Sequence, residues 1–336
     1  MAKYMNKSIL RMRLEKSSKR VYTQPKDFFE SFYRQELHMD RKEFGSLVSF
    51  LRHDLGLTQF QLAENANIDI AVVSQIERGV KKYFEPELLF QLANTLHLTT
   101  IERREFFLAA SSVSQKQIIR QPSAALATDT INADKVLNKM IHIIEKLHLP
   151  AFIMDVYSDV LAINRIAAVF FQVTPSMMET APHIPGGYST VRMMFGKELP
   201  IRSKILENWD HYAVGSMRFV RENSLRYRPK PYFQYLMKAF RNPVEYPLFE
   251  RYWRMVSSFE QDREANVDVF SYTHADYGRL SYATATTVSI TPYGELFLNQ
   301  YLPLDDHTRS LFDLLAKNAG EGVIAPLAPW PVKKMP

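Results

Sequence analysis

The sequence predicts two folds in series. The first is an all-α unit of five helices at residues 39–112. The second is an α+β domain at residues 135–318, with an antiparallel sheet and a helical layer. Three observations predict this. Apolar residues recur at helical spacing between 43 and 110, punctuated by capping residues. Residues 113–134 lose that periodicity and read as a linker. Beyond 266, runs of β-branched and aromatic residues alternate with turn residues such as Gly278 and Pro292-Tyr293-Gly294.

Residues 1–38 form a basic extension. Lys3, Lys7, Arg11, Arg13, Lys16, Lys19 and Arg20 face Glu15 alone in its first half, which accounts for the net charge of +6. Such an arm can track phosphates or enter a minor groove; the same charges also suit a solvated tail. Pro25, Phe28, Phe29, Phe32, Tyr33 and Leu37 predict an amphipathic helix at 25–37.

The five helices of the first unit are expected near 43–55, 58–66, 69–77, 86–97 and 100–110. Thr58 and Gln61 stand at capping-box spacing, repeated at Thr99 and Glu102. Asn67 occupies the turn, Asp69 caps the next helix and Gly79 closes it. Pro86 suits the first turn of the fourth helix. Two short helices joined by a tight turn set the second helix for a DNA major groove. An αα-hairpin in an ordinary helical domain shares the same periodicity.

In the second domain, residues 136–147 are helical by periodicity, and 151–156 with 160–163 flank Ser158-Asp159 as a hairpin. Residues 164–171 read as a short helix and 200–257 as mostly helical. Strands are expected at 267–273, 279–289 and 295–302, then a helix at 305–317. Residues 319–336, with Pro326, Pro329 and Pro331, read as an irregular tail.

A chain of 336 residues with 46% hydrophobic and 23% charged residues describes a globular protein with room for a sizeable core. It holds no cysteine, which excludes disulfides and thiolate chemistry and suits a cytoplasmic location. The apolar stretch 149–173 is interrupted by Asp155, Asp159 and Arg165, so no membrane span and no membrane partner is expected. There is no G-x-S-x-G, G-x-G-x-x-G or H-E-x-x-H pattern, and Asp305-Asp306 suits a helix start better than acid–base work. The expectation is a protein without catalysis, cofactor or metal. The enzyme alternative, with the helix-turn-helix as an accessory, would need a convergent polar cluster.

The string Leu57-Thr58-Gln59 with Leu62-Ala63, then Ile70, Val73-Ser74 and Ile76-Glu77 with Gly79, resembles the phage-repressor-like (XRE/Cro) helix-turn-helix family across about 44–110. A second set follows: Leu161-Ala162-Ile163-Asn164-Arg165 with Ala167-Ala168 and Phe171, then Trp209, Met217-Arg218, Phe249 with Tyr252-Trp253, and Gly278 to Tyr282. In that order they resemble the MmyB-like family of regulators, whose second domain is PAS-like. The resemblance implies a transcription regulator with a ligand-binding domain, a fatty-acid-like molecule being among the plausible ligands. The extension of about 38 residues and the aromatic-rich helical section depart from the family pattern.

Direct readout requires exposed side chains near the start of the second helix. Those positions are Asp69, Ile70, Ala71, Ser74 and Gln75. Gln75 can pair its amide with adenine, and Ile70 and Ala71 can pack on thymine methyls, unless Ile70 turns inward. Asp69 is better suited to capping. Thr58 and Gln59 open the preceding helix, where amides meet a phosphate, and Lys81 and Lys82 add cations. One feature opposes nucleic-acid binding: between Phe44 and Glu105 six basic side chains face eight acidic ones. A homodimer on a pseudo-palindromic site of double-stranded DNA is expected, because one such unit reads few base pairs.

Thirteen aromatic residues fall between Pro200 and Glu260. Trp209, Tyr212, Phe219 and Trp253 are candidates to line an apolar cavity, and Arg218 or Arg254 to meet a ligand carboxylate. Plain core packing explains the same aromatics, and the second domain would then serve only dimer or protein contact. The run Arg218, Arg221, Arg226, Arg228 and Lys230 reads as a solvated face or a second DNA-facing patch. Regulation by a ligand would require a change in domain arrangement, for which the linker is the natural place.

Overall fold

The computed structural model describes residues 39–115, 133–199, 201–257, 268–291, 293–333 and 335. The basic extension, the helix expected at 25–37 and most of the linker lie outside the described residues.

Five helices build the first unit: α1 (Arg41–Asp54), α2 (Gln59–Asn65), α3 (Ile70–Glu77), α4 (Pro86–Thr95) and α5 (Thr100–Gln115). Reciprocal capping boxes, which satisfy free amides at helix starts, set where three of them begin. Asp40 and Glu43 exchange bonds of 2.9 Å at α1. Thr58 and Gln61 do so at α2, and Thr99 and Glu102 at α5. Asn67 turns the chain between α2 and α3 in the left-handed region, with φ 52°. Phe44, Leu47, Leu62, Val73, Ile76 and Leu92 form a core with almost no exposed surface. Ser111 and the four residues after it continue α5, so the helix runs further than the periodicity indicates.

The second domain begins with α6 (Ala133–Glu145), β1 (Ala151–Asp155) and β2 (Val160–Asn164). Short helices follow: α7 (Arg165–Phe170), α8 (Pro175–Thr180), α9 (Thr190–Phe195) and α10 (Ile201–Lys204). Then come β3 (Ile205–Glu207), α11 (Trp209–Ser224), α12 (Pro231–Phe240) and α13 (Phe249–Met255). The chain finishes with β4 (Asp268–His274), β5 (Gly278–Thr291), β6 (Gly294–Pro303), α14 (Asp306–Ala319) and β7 (Val323–Ile324). Among the described residues the strands form one sheet in the order β3-β4-β5-β6-β1-β2-β7, with antiparallel pairing throughout.

Side-chain alternation sorts the sheet into two faces. Phe297 and Tyr301 of β6 join Phe152 and Met154 of β1 under the large helical layer. Leu296 and Leu298 join Ala151 and Ile153 against Met140 and Ile144 of α6. Both faces are therefore covered at β1 and β2, and every residue of these strands is buried. Buried Asn164 ties their ends together. Its amide oxygen accepts from Ala151 N at 3.1 Å and caps α7 through Ala167 N at 2.9 Å, and its nitrogen donates to the Leu149 carbonyl at 2.8 Å. Asp305 caps α14 through Thr308 N.

Two strands fall where the sequence reads otherwise. Ile205–Glu207 lies in the mostly helical section and pairs with β4. Val323–Ile324 lies in the tail and pairs with β2. From there the tail stays on the domain: Leu327 N donates to the Leu161 carbonyl at 2.9 Å and Ala328 N to that of Val160 at 3.1 Å. Lys333 ends between the buried carboxylates of Asp155 and Asp159, 2.8 Å from Asp159 Oδ2. Burial is the main force raising the Asp155 carboxyl to about 6; Lys333 opposes it and Asp159 adds to it.

Helices α1 and α3 approach closely at Gly45. A Cβ there would lie 2.3 Å from the Ile76 carbonyl oxygen and 2.7 Å from that of Glu77. Gly45→Ala gains about 1 kcal/mol of helix propensity. It also forces backbone apart in a packed core, for which overpacking costs of about 1–3 kcal/mol are usual. The expected outcome is a net loss of stability in urea unfolding. An unchanged midpoint would show that α1 and α3 do not pack at this distance.

Candidate nucleic-acid interface and ligand pocket

The start of α3 is open to solvent. Asp69, Ala71 and Gln75 are exposed, Ile70 keeps 46% of its surface, and Ser74 is half-buried beside them. Val73 and Ile76 point inward instead. Asp69 spends its side chain on the Ala71 amide at 2.7 Å. Thr58 is exposed but engaged in its capping box. Gln59 donates its amide to Glu77 at 2.8 Å. Lys81 lies 3.7 Å from Glu85, and Lys82 is exposed.

Glu77 would place a negative charge behind this face, but Arg52 lies against it at 2.6 and 3.0 Å. Burial raises the Glu77 carboxyl; bonds from Arg52 and Gln59 outweigh burial and hold it below its ordinary range. Four other acids of this unit meet the second domain, while Glu64, Asp69, Glu85 and Glu87 stay exposed. Glu43 meets Lys230 at 3.0 Å, and Glu105 meets Arg226 at 3.2 Å. Asp54 accepts from Arg241 and from the Trp253 indole at 3.1 Å. Arg254 donates to the Asp54 carbonyl at 2.8 Å and pairs with Glu250.

Glu102 is the centre of this contact. It has no exposed surface and receives Nε and Nη2 of Arg221, both at 3.0 Å, and Nη2 of Arg228. Both guanidinium groups also stand 5.1 Å from the Trp253 ring centre. Leu225, between the two arginines in sequence, packs into the core of the first unit, and Phe50 meets Phe233 edge-on at 5.9 Å. Thus the basic run Arg221, Arg226, Arg228 and Lys230 faces the acids of the helical unit. Three of the eight acids counted between Phe44 and Glu105, namely Asp54, Glu102 and Glu105, are engaged in this contact.

Between the helical layer and the sheet lies a partly open cavity of about 90 Å³. Tyr212, Gly215, Ser216 and Phe219 of α11 line one side, and Phe152, Asn299 and Tyr301 the other. Among the described lining residues none carries a charge. Burial drives the phenols of Tyr212 and Tyr301 well above their ordinary range, so both stay neutral. The six sequence candidates divide. Tyr212 and Phe219 line the cavity. Trp253 and Arg254 belong to the contact with Asp54. Trp209 is buried beside the Arg202 guanidinium at 5.0 Å, and Arg218 is half-buried; neither lines the cavity. Asn299, which the sequence reasoning missed, interrupts the apolar alternation of β6, and that interruption is the signal that could have found it. Among the described residues no group of His, Asp or Glu is placed to hold a metal ion, and no helix is long and apolar enough to cross a membrane.

Burial opposes ionisation of Glu102, but Arg228 and Arg221 outweigh it and lower its carboxyl from 4.5 to about 2. The stability this supplies is therefore full above pH 4.5 and lost as pH falls toward 2. Glu102→Gln keeps the capping box but strands two cations, and a broken buried pair costs about 3–5 kcal/mol. In urea titrations the gap between wild type and Glu102→Gln is expected at neutral pH and should close as pH falls. A gap independent of pH would refute the ionic account.

A family model described as the MmyB-like transcription regulator ligand binding domain matches residues 136–315, and one described as Helix-turn-helix matches residues 50–102. Comparison with curated proteins finds no match. Both families are consistent with a DNA-binding transcription regulator, with α2 and α3 supplying the helix-turn-helix and the sheet and α11 the ligand-binding domain. Because the first match spans more than half of its length, the chain belongs to the MmyB-like transcription regulators.

Proposed function

We propose that the protein acts in the cytoplasm as a homodimer on a pseudo-palindromic operator, and that a small apolar ligand in the cavity sets its DNA affinity. One observation carries the regulatory part of this reading. Helix α11 lines the cavity with Tyr212, Gly215, Ser216 and Phe219, and two residues further on presents Arg221 to Glu102 of the helix-turn-helix unit. A ligand that shifts α11 therefore acts on the same rigid element that docks the DNA-reading unit. The exposed start of α3 supports base contact in this docked arrangement, and two half-sites are the usual means by which such a unit gains specificity.

Gln75→Ala is expected to weaken specific binding by about 1–3 kcal/mol, the range for one bidentate base contact. Lys82→Ala should instead weaken all sequences alike and flatten the salt dependence. Fluorescence titration on operator and scrambled duplexes separates the two; an unchanged operator affinity removes Gln75 from the readout set.

The coupling is tested with octanol as an apolar probe. Octanol should change wild-type operator affinity by about 5- to 150-fold, the scale of 1–3 kcal/mol. Ser216→Leu, which fills the cavity, should abolish the response. Octanol that binds in the cavity and leaves DNA affinity unmoved would leave only a protein-contact role for the second domain.

A further inference from the structure

We infer that the cavity selects ligands whose polar end is a neutral oxygen, such as an alcohol, ester or ketone, over ligands ending in a carboxylate. This rests on the reading that the cavity is the ligand site, and it narrows what that site accepts. The argument starts from Asn299. On β6 the residues facing the helical layer are Phe297, Asn299 and Tyr301, so an amide stands where the alternation calls for an apolar side chain. It is 1% exposed. Its oxygen accepts from the Thr286 hydroxyl at 2.7 Å, but its nitrogen reaches only the Phe297 carbonyl, at 3.5 Å. That distance is at the limit of a hydrogen bond. An amide donor in an apolar wall is costly unless something accepts from it.

Tyr301, two residues on and on the same face, and Tyr212 from α11 line the same cavity. Among the described residues neither hydroxyl has a hydrogen-bond partner, and both phenols are held neutral by burial. The cavity therefore offers an amide N–H, two phenols and the hydroxyl-bearing side chains of Thr190, Ser216 and Thr284 in a wall otherwise of Phe, Met, Gly215 and aliphatic side chains. Those groups satisfy a hydroxyl or carbonyl oxygen. A carboxylate would also need a cation to offset its desolvation, and no charged side chain is in the described lining. Of the two arginines expected to supply one, Arg254 is engaged on Glu250 and the Asp54 carbonyl, and Arg218 is not in the described lining.

The test is calorimetric titration of the full chain with octanol, methyl octanoate and octanoate, at about pH 8, where a carboxyl group is ionised. The alcohol and the ester are expected to bind at least about tenfold more tightly than the carboxylate. Tyr301→Phe keeps the ring that stacks on Tyr282 at 4.5 Å and removes only the hydroxyl. It should lower octanol affinity by about three- to tenfold without altering the thermal midpoint, and Asn299→Leu should do the same to the ester. Octanoate binding as tightly as octanol would overturn the head-group preference and leave the cavity reading standing. Failure of all three probes to bind, or octanol binding that Ser216→Leu does not alter, would overturn both.

Discussion

Glu102 sits without exposed surface between Arg221 and Arg228, and it is also the residue that closes the capping box of α5. One carboxylate thus fixes where a helix of the DNA-reading unit begins and where that unit meets the ligand-binding domain. Neither role can relax independently. Turning Glu102 away would free an amide at the helix start and leave two guanidinium groups in a low-dielectric contact, a cost of several kcal/mol. The surrounding pairs, Asp54 with Arg241 and Glu43 with Lys230, are more exposed and contribute less each. They extend the same pattern, acids on one side and bases on the other. Asp54, Glu102 and Glu105 thus face protein, while Glu64, Asp69, Glu85 and Glu87 stay exposed.

What could be read from the residues alone follows the range over which their signals act. Capping boxes at Thr58–Gln61 and Thr99–Glu102 are visible because their partners are three residues apart. Strands β1, β5 and β6 are visible because their runs of apolar, β-branched and aromatic residues are bounded by turn residues. Asn164 stands within a recognisable string, and the structure gives its reason: one amide holds two strand ends and a helix cap. Strands β3 and β7 are three and two residues long and owe their form to distant partners, His274 with Thr273 and Ile163 with Asn164. No local pattern marks them. The basic run after Arg218 was legible as charge and illegible as contact, since Glu102 lies 119 residues from Arg221 and 126 from Arg228.

The cavity shows the same division. Aromatic density in 200–260 pointed to an apolar interior, and two of its aromatics line the space. Which aromatics those are depends on the rotation of α11 against the sheet. Trp253 is more deeply buried than Phe219 yet faces Asp54 and the arginines. Burial alone does not distinguish a cavity wall from a contact between domains; the polar atom that each ring meets does.

The matched region ends at residue 315, whereas the fold does not. Beyond it, Val323–Ile324 covers the outer edge of β2, and Lys333 neutralises charge between Asp155 and Asp159. A polypeptide cut at the end of the match would expose β2 as an open edge, with two buried carboxylates beside it. Uncovered edges pair with one another. Such a fragment would self-associate through β2, and its apparent oligomeric state would report the cut rather than the protein.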